Sequence, residues 1–175
     1  MPQSALPATG TEFVLRCHAP ETAVTVRAKP VLVDFTGECT VQVRERSGDG
    51  GTAVELRVLA LSLSAELPDA GGSEDGGTVV LEQDDTSGGD SGTVRLVGDR
   101  YEVRLVTGLA MTLRQPGGTV RLTARGPVEL TADAAHFPPR ADGLALTEPV
   151  RFVLGDNDDV TPAQIDELVV RLDEV

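Results

Sequence analysis

Tryptophan is absent from the 175 residues, tyrosine occurs once, and phenylalanine occurs four times. A core built from this chain must therefore be filled by aliphatic side chains. No stretch approaches the ~18 consecutive apolar residues of a membrane-spanning helix. The opening segment, Met1-Pro2-Gln3-Ser4-Ala5-Leu6-Pro7, has neither the basic start nor the apolar run of a secretory signal. With Met1 read as an initiator, the expected location is cytoplasmic. Positive charge is also scarce: 15 Lys and Arg stand against 28 Asp and Glu, for a net charge of -13. With no basic stripe to offset that charge, nucleic acid would meet net repulsion and anionic membranes are disfavoured, so neither is expected as a partner. A neutral small molecule, a basic protein surface or a homo-oligomer remains compatible, as does a surface charged only for solubility.

The familiar catalytic signatures are missing too. There is no G-x-S-x-G, phosphate-binding loop, dinucleotide fingerprint or H-E-x-x-H. Hydrolase, kinase and nicotinamide chemistry thus have no support, and no cofactor is expected. The two cysteines, Cys17 and Cys39, lie in separate apolar runs and read as buried thiols, with a bridge as the alternative. Cys17, His18, Cys39 and His136 match no zinc-site spacing, and a regular strand would send Cys17 and His18 to opposite faces. The acidic run Asp156-Asn157-Asp158-Asp159 is followed by Val160 where a calcium loop has Asp or Asn, and no glycine follows, so no metal site is expected.

Lys29, Asn157 and Ile165 are the sole residues of their kinds. These amino acids have AT-rich codons, so their scarcity points to a GC-rich genome, with an actinobacterium the natural source.

What the chain does contain is alternation with period two, the signature of half-buried strands. Phe13, Leu15 and Cys17 alternate with Val14, Arg16 and His18. Val31, Val33 and Phe35 follow at the same spacing, and then Cys39, Val41 and Val43 alternate with Thr40, Gln42 and Arg44. Between Thr52 and Leu67 the apolar positions change phase from Val54, Leu56 and Val58 to Leu59, Leu61 and Leu63. A β-bulge near Val58-Leu59 would put both sets on one face. Two glycine-rich acidic loops, Pro68 to Gly77 and Asp84 to Gly92, have too few apolar residues to order them. The longest alternation runs Tyr101, Val103, Leu105, Thr107, Leu109, Met111, Leu113, with Gly108 near its middle. Such a run reads as a bent strand turning a corner.

At the C-terminus the period changes. Thr161-Pro162-Ala163-Gln164 resembles a capping box with proline at the first helical position. Ile165, Leu168, Val169 and Leu172 then form a stripe at helical spacing. The expectation is a helix over 161–173, with a final strand through Leu168 to Leu172 as the alternative. In sum, the chain reads as one all-β domain over 1–175, with about ten strands and a flexible segment over 1–11. The architecture is an antiparallel β-barrel with a short C-terminal helix, or else a two-sheet sandwich.

Candidate site residues follow from this frame. His136-Phe137-Pro138-Pro139-Arg140 is a proline-stiffened loop that would hold His136 and Arg140 at a site rim, or serve as a plain connector. Tyr101 opens the apolar stripe and would offer a hydroxyl to a carbonyl, or simply close the core. Phe13, Phe35, Val103, Leu105, Leu109, Met111 and Leu113 are the expected apolar lining.

Four short stretches resemble a known family. Asp34-Phe35-Thr36-Gly37, Val80-Leu81-Glu82-Gln83, His136-Phe137-Pro138-Pro139-Arg140 and Thr147-Glu148-Pro149-Val150 look like an uncharacterised actinobacterial all-β family. Members of that family occur in natural-product gene neighbourhoods, and it supplies no catalytic residues to carry over. In fold and size alone the chain is also similar to small β-barrel cyclases of polyketide pathways. The Gly-x-Trp of lipocalins is absent.

The resulting expectation is a cofactor-independent cyclase, a barrel that restrains an apolar biosynthetic intermediate while Tyr101, His136 or Arg140 polarises a carbonyl. Two other classes fit the same residues. One is a non-catalytic carrier using the same cavity, and the other is a solid sandwich acting through protein contacts.

Overall fold

The computed structural model describes residues 5–47, 51–69, 76–84, 90–139, 143–155 and 162–174. Among these residues there are thirteen β-strands and no helix. Three long strands come first: β1 (Glu12–Val26), β2 (Lys29–Ser47) and β3 (Ala53–Glu66). Then follow β4 (Thr78–Gln83), β5 (Ser91–Val97), β6 (Arg100–Thr107), β7 (Leu109–Gln115), β8 (Gly118–Ala124) and β9 (Val128–Ala134). The last four are short: β10 (Leu144–Leu146), β11 (Val150–Val153), β12 (Ala163–Ile165) and β13 (Val169–Glu174).

All thirteen strands belong to one antiparallel sheet, which closes on itself at two places, β1 with β12 and β3 with β5. The pairings trace two circuits that share β1, β2 and β3. The first runs onward through β4, β7, β8, β11 and β12. The second runs through β5, β6, β9, β10 and β13. Each long strand is divided between them. In β1, Leu15–His18 pairs with β13 and Val24–Val26 with β12. In β3, Ala53–Leu56 pairs with β5 and Ser62–Glu66 with β4. The sheet is thus closed without being a simple barrel, and it is not split into the two sheets of a sandwich.

Strands this long can serve two circuits only if they bend without turning their apolar face outward. Bulges achieve this. In β3 the register against β2 slips between Thr40–Ala60 and Val41–Val58, so Leu59 is left over and exposed. Val58 and Leu61 both face inward across the slip, as the phase change in the sequence required. In β1 a second slip falls between Ala19 and Thr22. Glu21 there adopts φ 51°, and its N–H donates to Asp34 Oδ1 at 2.7 Å. The Thr22 hydroxyl donates to Ala19 O at 3.0 Å.

Three of the four short stretches that carry the family resemblance acquire structural roles here. Asp34 caps the β1 bulge, and Gln83 Nε2 donates to Val58 O at 2.9 Å beside the β3 bulge. Gly37 lets β2 and β3 pinch together, since a Cβ there would stand 1.8 Å from Ser62 O. Phe137 packs edge-on against Phe13 with ring centroids 5.3 Å apart.

The long apolar stripe behaves as its spacing predicts. β6 ends at Thr107 and β7 begins at Leu109, so Gly108 carries the chain from the second circuit into the first.

The expected C-terminal helix is replaced by β12 and β13. Ile165 pairs with both Val24 and Val150, and Leu172 pairs with Cys17. The outer edge of β1 needs hydrogen-bond partners along its whole length, and this demand outweighs a local helical stripe. Leu168, Val170 and Leu172 are buried while Val169 is 47% exposed, a period of two that the helical reading of Val169 overlooked. Thr161, the expected cap, lies outside the described residues, as do Asp156 to Asp159.

Candidate functional site

The interior is one continuous hydrophobic cluster drawn from every strand of both circuits except β5's polar positions. A small, largely enclosed cavity lies where the circuits meet. It is lined by Cys17, Cys39, Leu63 and Leu81, by Leu105, Thr107 and Leu109 around the Gly108 crossing, and by Leu130, Leu144 and Leu168. Its volume is about 20 Å³, room for one water-sized body. Thr107 is its polar member, and that hydroxyl is engaged with Asp90 Oδ1 at 2.8 Å.

The residues singled out in the sequence divide among three places. Leu105 and Leu109 line the cavity. Phe35, Met111 and Leu113 are packed inside the first circuit at 0–3% exposure, and none of them touches the cavity. Val103 is buried in the second circuit. Phe13 and Tyr101 lie at the far end of that circuit, where Phe137 stands between them, 5.3 Å from Phe13 and 6.4 Å from Tyr101 by ring centroids. The Tyr101 hydroxyl donates to Ala5 O at 3.0 Å, so the segment over residues 5–10 lies across this aromatic end. The same segment is tied down by Gly10 N–H donating to Val43 O at 2.8 Å. His136 is exposed on the loop beside Phe137, and Arg140 lies outside the described residues. Tyr101 and the His136 loop are therefore neighbours, because Tyr101 is in register with Ala134 at the end of β9.

Sequence reasoning missed Cys17, Cys39, Leu130, Leu144 and Leu168 as cavity residues. The signal for Leu168 was its alternation with Val170 and Leu172. The others are placed only by pairing across the seam, which no local pattern encodes. Cys17 and Cys39 are free thiols on neighbouring strands, their partners in register being Gly37 and Leu15. The Cys39 thiol beside it, and then burial, push the Cys17 thiol far above its ordinary range, so Cys17 is protonated and inert at neutral pH.

The wall around the cavity is unevenly secured. β10 has three residues, joined to β13 by Leu144–Val170 and Ala145–Val169 and to β9 by Ala145–Thr131 and Leu146–Leu130. By contrast, β4 and β7 on the opposite wall pair over six residues, Thr78 to Gln83.

No family model and no curated protein match the chain. Among solved structures it is similar to DynF from the dynemicin biosynthesis pathway of Micromonospora chersina. The two are 17% identical, with a TM-score of 0.71, and the likeness covers 98% of this chain and 83% of that one. At that identity the likeness shows the fold, a closed all-β arrangement common to both.

Proposed function

We propose that this chain is a β-barrel-like protein of natural-product biosynthesis that holds an apolar intermediate in its interior and promotes cyclisation by restraining the intermediate's conformation. The observation that carries this reading is the leucine-lined cavity at the seam, bordered on one side by the weakly held β10. The fold it shares with a dynemicin-pathway protein supports the same setting. At about 20 Å³ the cavity admits a ligand only if the wall moves. A three-residue strand fixed by four register pairs, with Leu146 N–H donating to Leu168 O and Thr147 N–H to Glu129 O at its end, is the shortest part of that wall and the one we take to move. Restraint in an apolar enclosure lowers a cyclisation barrier by pre-paying conformational entropy and needs few polar groups. Tyr101 and His136, together at the aromatic end, are the groups able to polarise a carbonyl there, and Tyr101 must first release Ala5.

A second reading is favoured by the small cavity itself: a solid core whose acidic surface acts through protein contacts. Titration with an apolar fluorescent probe separates the two. On the first reading the parent chain binds the probe saturably. Leu130→Phe, which fills the cavity, blocks binding while costing less than about 1.5 kcal/mol of stability. Absence of saturable binding in the parent leaves the solid core. Binding without steady turnover of any polyketide-like substrate leaves a carrier in place of a cyclase.

A further inference from the structure

Two adjacent loops each carry the chain from one circuit to the other, 125–127 between β8 and β9 and 147–149 between β10 and β11. Together they wall an open cleft of about 570 Å³ that lies outside the seam. Arg125 and Arg151 both line it. The register Thr123–Val153, Ala124–Phe152 extends by one residue to place them directly opposite each other, and Arg125 N–H donates to Arg151 O at 2.9 Å. Like charges in that relation repel. Elsewhere in the sheet, exposed arginines face carboxylates or neutral residues: Arg16 is opposite Glu38 and Asp173, Arg95 is opposite Glu102, and Arg104 and Arg121 are opposite threonines. Arg125 and Arg151 are the one arginine pair in register among the described residues, and neither guanidinium has an ion-pair partner. On the far side of Arg151 the register partner is Gln164, which is neutral and donates its amide to Asp166. Glu148 lines the same cleft but lies beyond ion-pair distance of both arginines, and Glu129 is committed to Arg104 at 2.7 Å. Pro127 and Pro149 stiffen the two loops.

We propose that this cleft is an oxyanion-binding site, in which Arg125 and Arg151 together take the carboxylate or phosphate group of a small molecule. The chain carries a net charge of -13, yet among the described residues no carboxylate pairs with either of these two guanidinium groups. Two guanidinium forks of N–H donors on opposed residues match an oxyanion, and the bound anion removes the repulsion between them. The site is independent of any ligand in the interior.

The test follows the arginine Nε–Hε NMR signals of the full chain during titration with sodium phosphate and with sodium benzoate at constant ionic strength. The Arg125 and Arg151 signals should move together to saturation with one dissociation constant, while those of Arg16 and Arg95 stay in place. Arg125→Gln and Arg151→Gln should each weaken binding by about tenfold or more, the loss of a charged hydrogen-bonding partner. Tighter binding of benzoate assigns a carboxylate ligand, and tighter binding of phosphate a phosphate ester. Without anion, Arg125→Gln should melt at or above the parent, and the rise in Tm that phosphate gives the parent should be absent from the variant. Non-saturating shifts, equal shifts at every exposed arginine, unchanged affinity in both variants, or an Arg125→Gln chain that melts well below the parent would overturn the proposal.

Discussion

The two circuits share three strands and one core, yet they are packed differently. Phe35, Phe152, Met111, Leu122, Leu81 and Ile165, all large and fully buried, belong to the first circuit. The strands special to the second circuit, β5, β6, β9, β10 and β13, contribute none of the largest fully buried side chains. Their interior positions are valines and leucines, and their aromatic residues, Tyr101 and Phe137, sit at one end. The cavity lies against this second circuit. One circuit thus holds the largest buried side chains, while the strands special to the other are lined by smaller ones, and smaller side chains rearrange at less cost.

The comparison breaks most readily under large-to-small substitution. Phe152→Ala should cost about 3–5 kcal/mol, because the first circuit cannot collapse around the void. Leu144→Ala should fall at about 2 kcal/mol, the low end for its type, because β10 can settle inward. Urea denaturation of both variants measures this, and equal losses would show the circuits to be equally rigid. The next largest effect tests overpacking. Met111→Trp should destabilise by about 1–3 kcal/mol and leave apolar-probe affinity unchanged, since Met111 is fully buried and does not line the cavity. A variant as stable as the parent would place hidden space in the first circuit and reverse the assignment. The smallest effect is at the aromatic end. Tyr101→Phe should cost about 1 kcal/mol through its lost bond to Ala5 O and should speed probe entry if the 5–10 segment gates the interior. Stopped-flow traces identical to the parent's would place the entrance elsewhere, with the β10 edge the remaining candidate.

Much of this architecture was legible in the residues, and the reasons are local. Period two located the strands, and the phase change at Val58–Leu59 located a bulge, because a buried face tolerates no slip. Gly108 marked a crossing. The C-terminal strands were misread because Ile165, Leu168, Val169 and Leu172 satisfy a helical spacing, while the open edge of β1 that claims them is about 140 residues away in sequence. The double closure was illegible for the same reason: nothing in β1 or β3 announces that each half will take a different partner. Of the residues named as apolar lining, Phe35, Val103, Leu105, Leu109, Met111 and Leu113 are buried and Phe13 is half-buried, and their division between a filled circuit and a cavity wall depends on pairings across the seam. The arginine pair was invisible until β8 and β11 were brought side by side.

The division of β1's outer edge between β12 and β13 bears on how the protein is made. A chain leaving the ribosome presents β1 first, and its β2 side is covered as soon as the Arg27–Ala28 hairpin forms. The other side keeps a row of unpaired backbone donors and acceptors until residues 163–174 have been synthesised. Until those residues emerge this is an apolar strand with a free edge, the kind of template on which nascent chains associate with one another. The outward-facing charges along it, Glu12, Arg16 and Glu21, are placed where they discourage such pairing until β12 and β13 arrive.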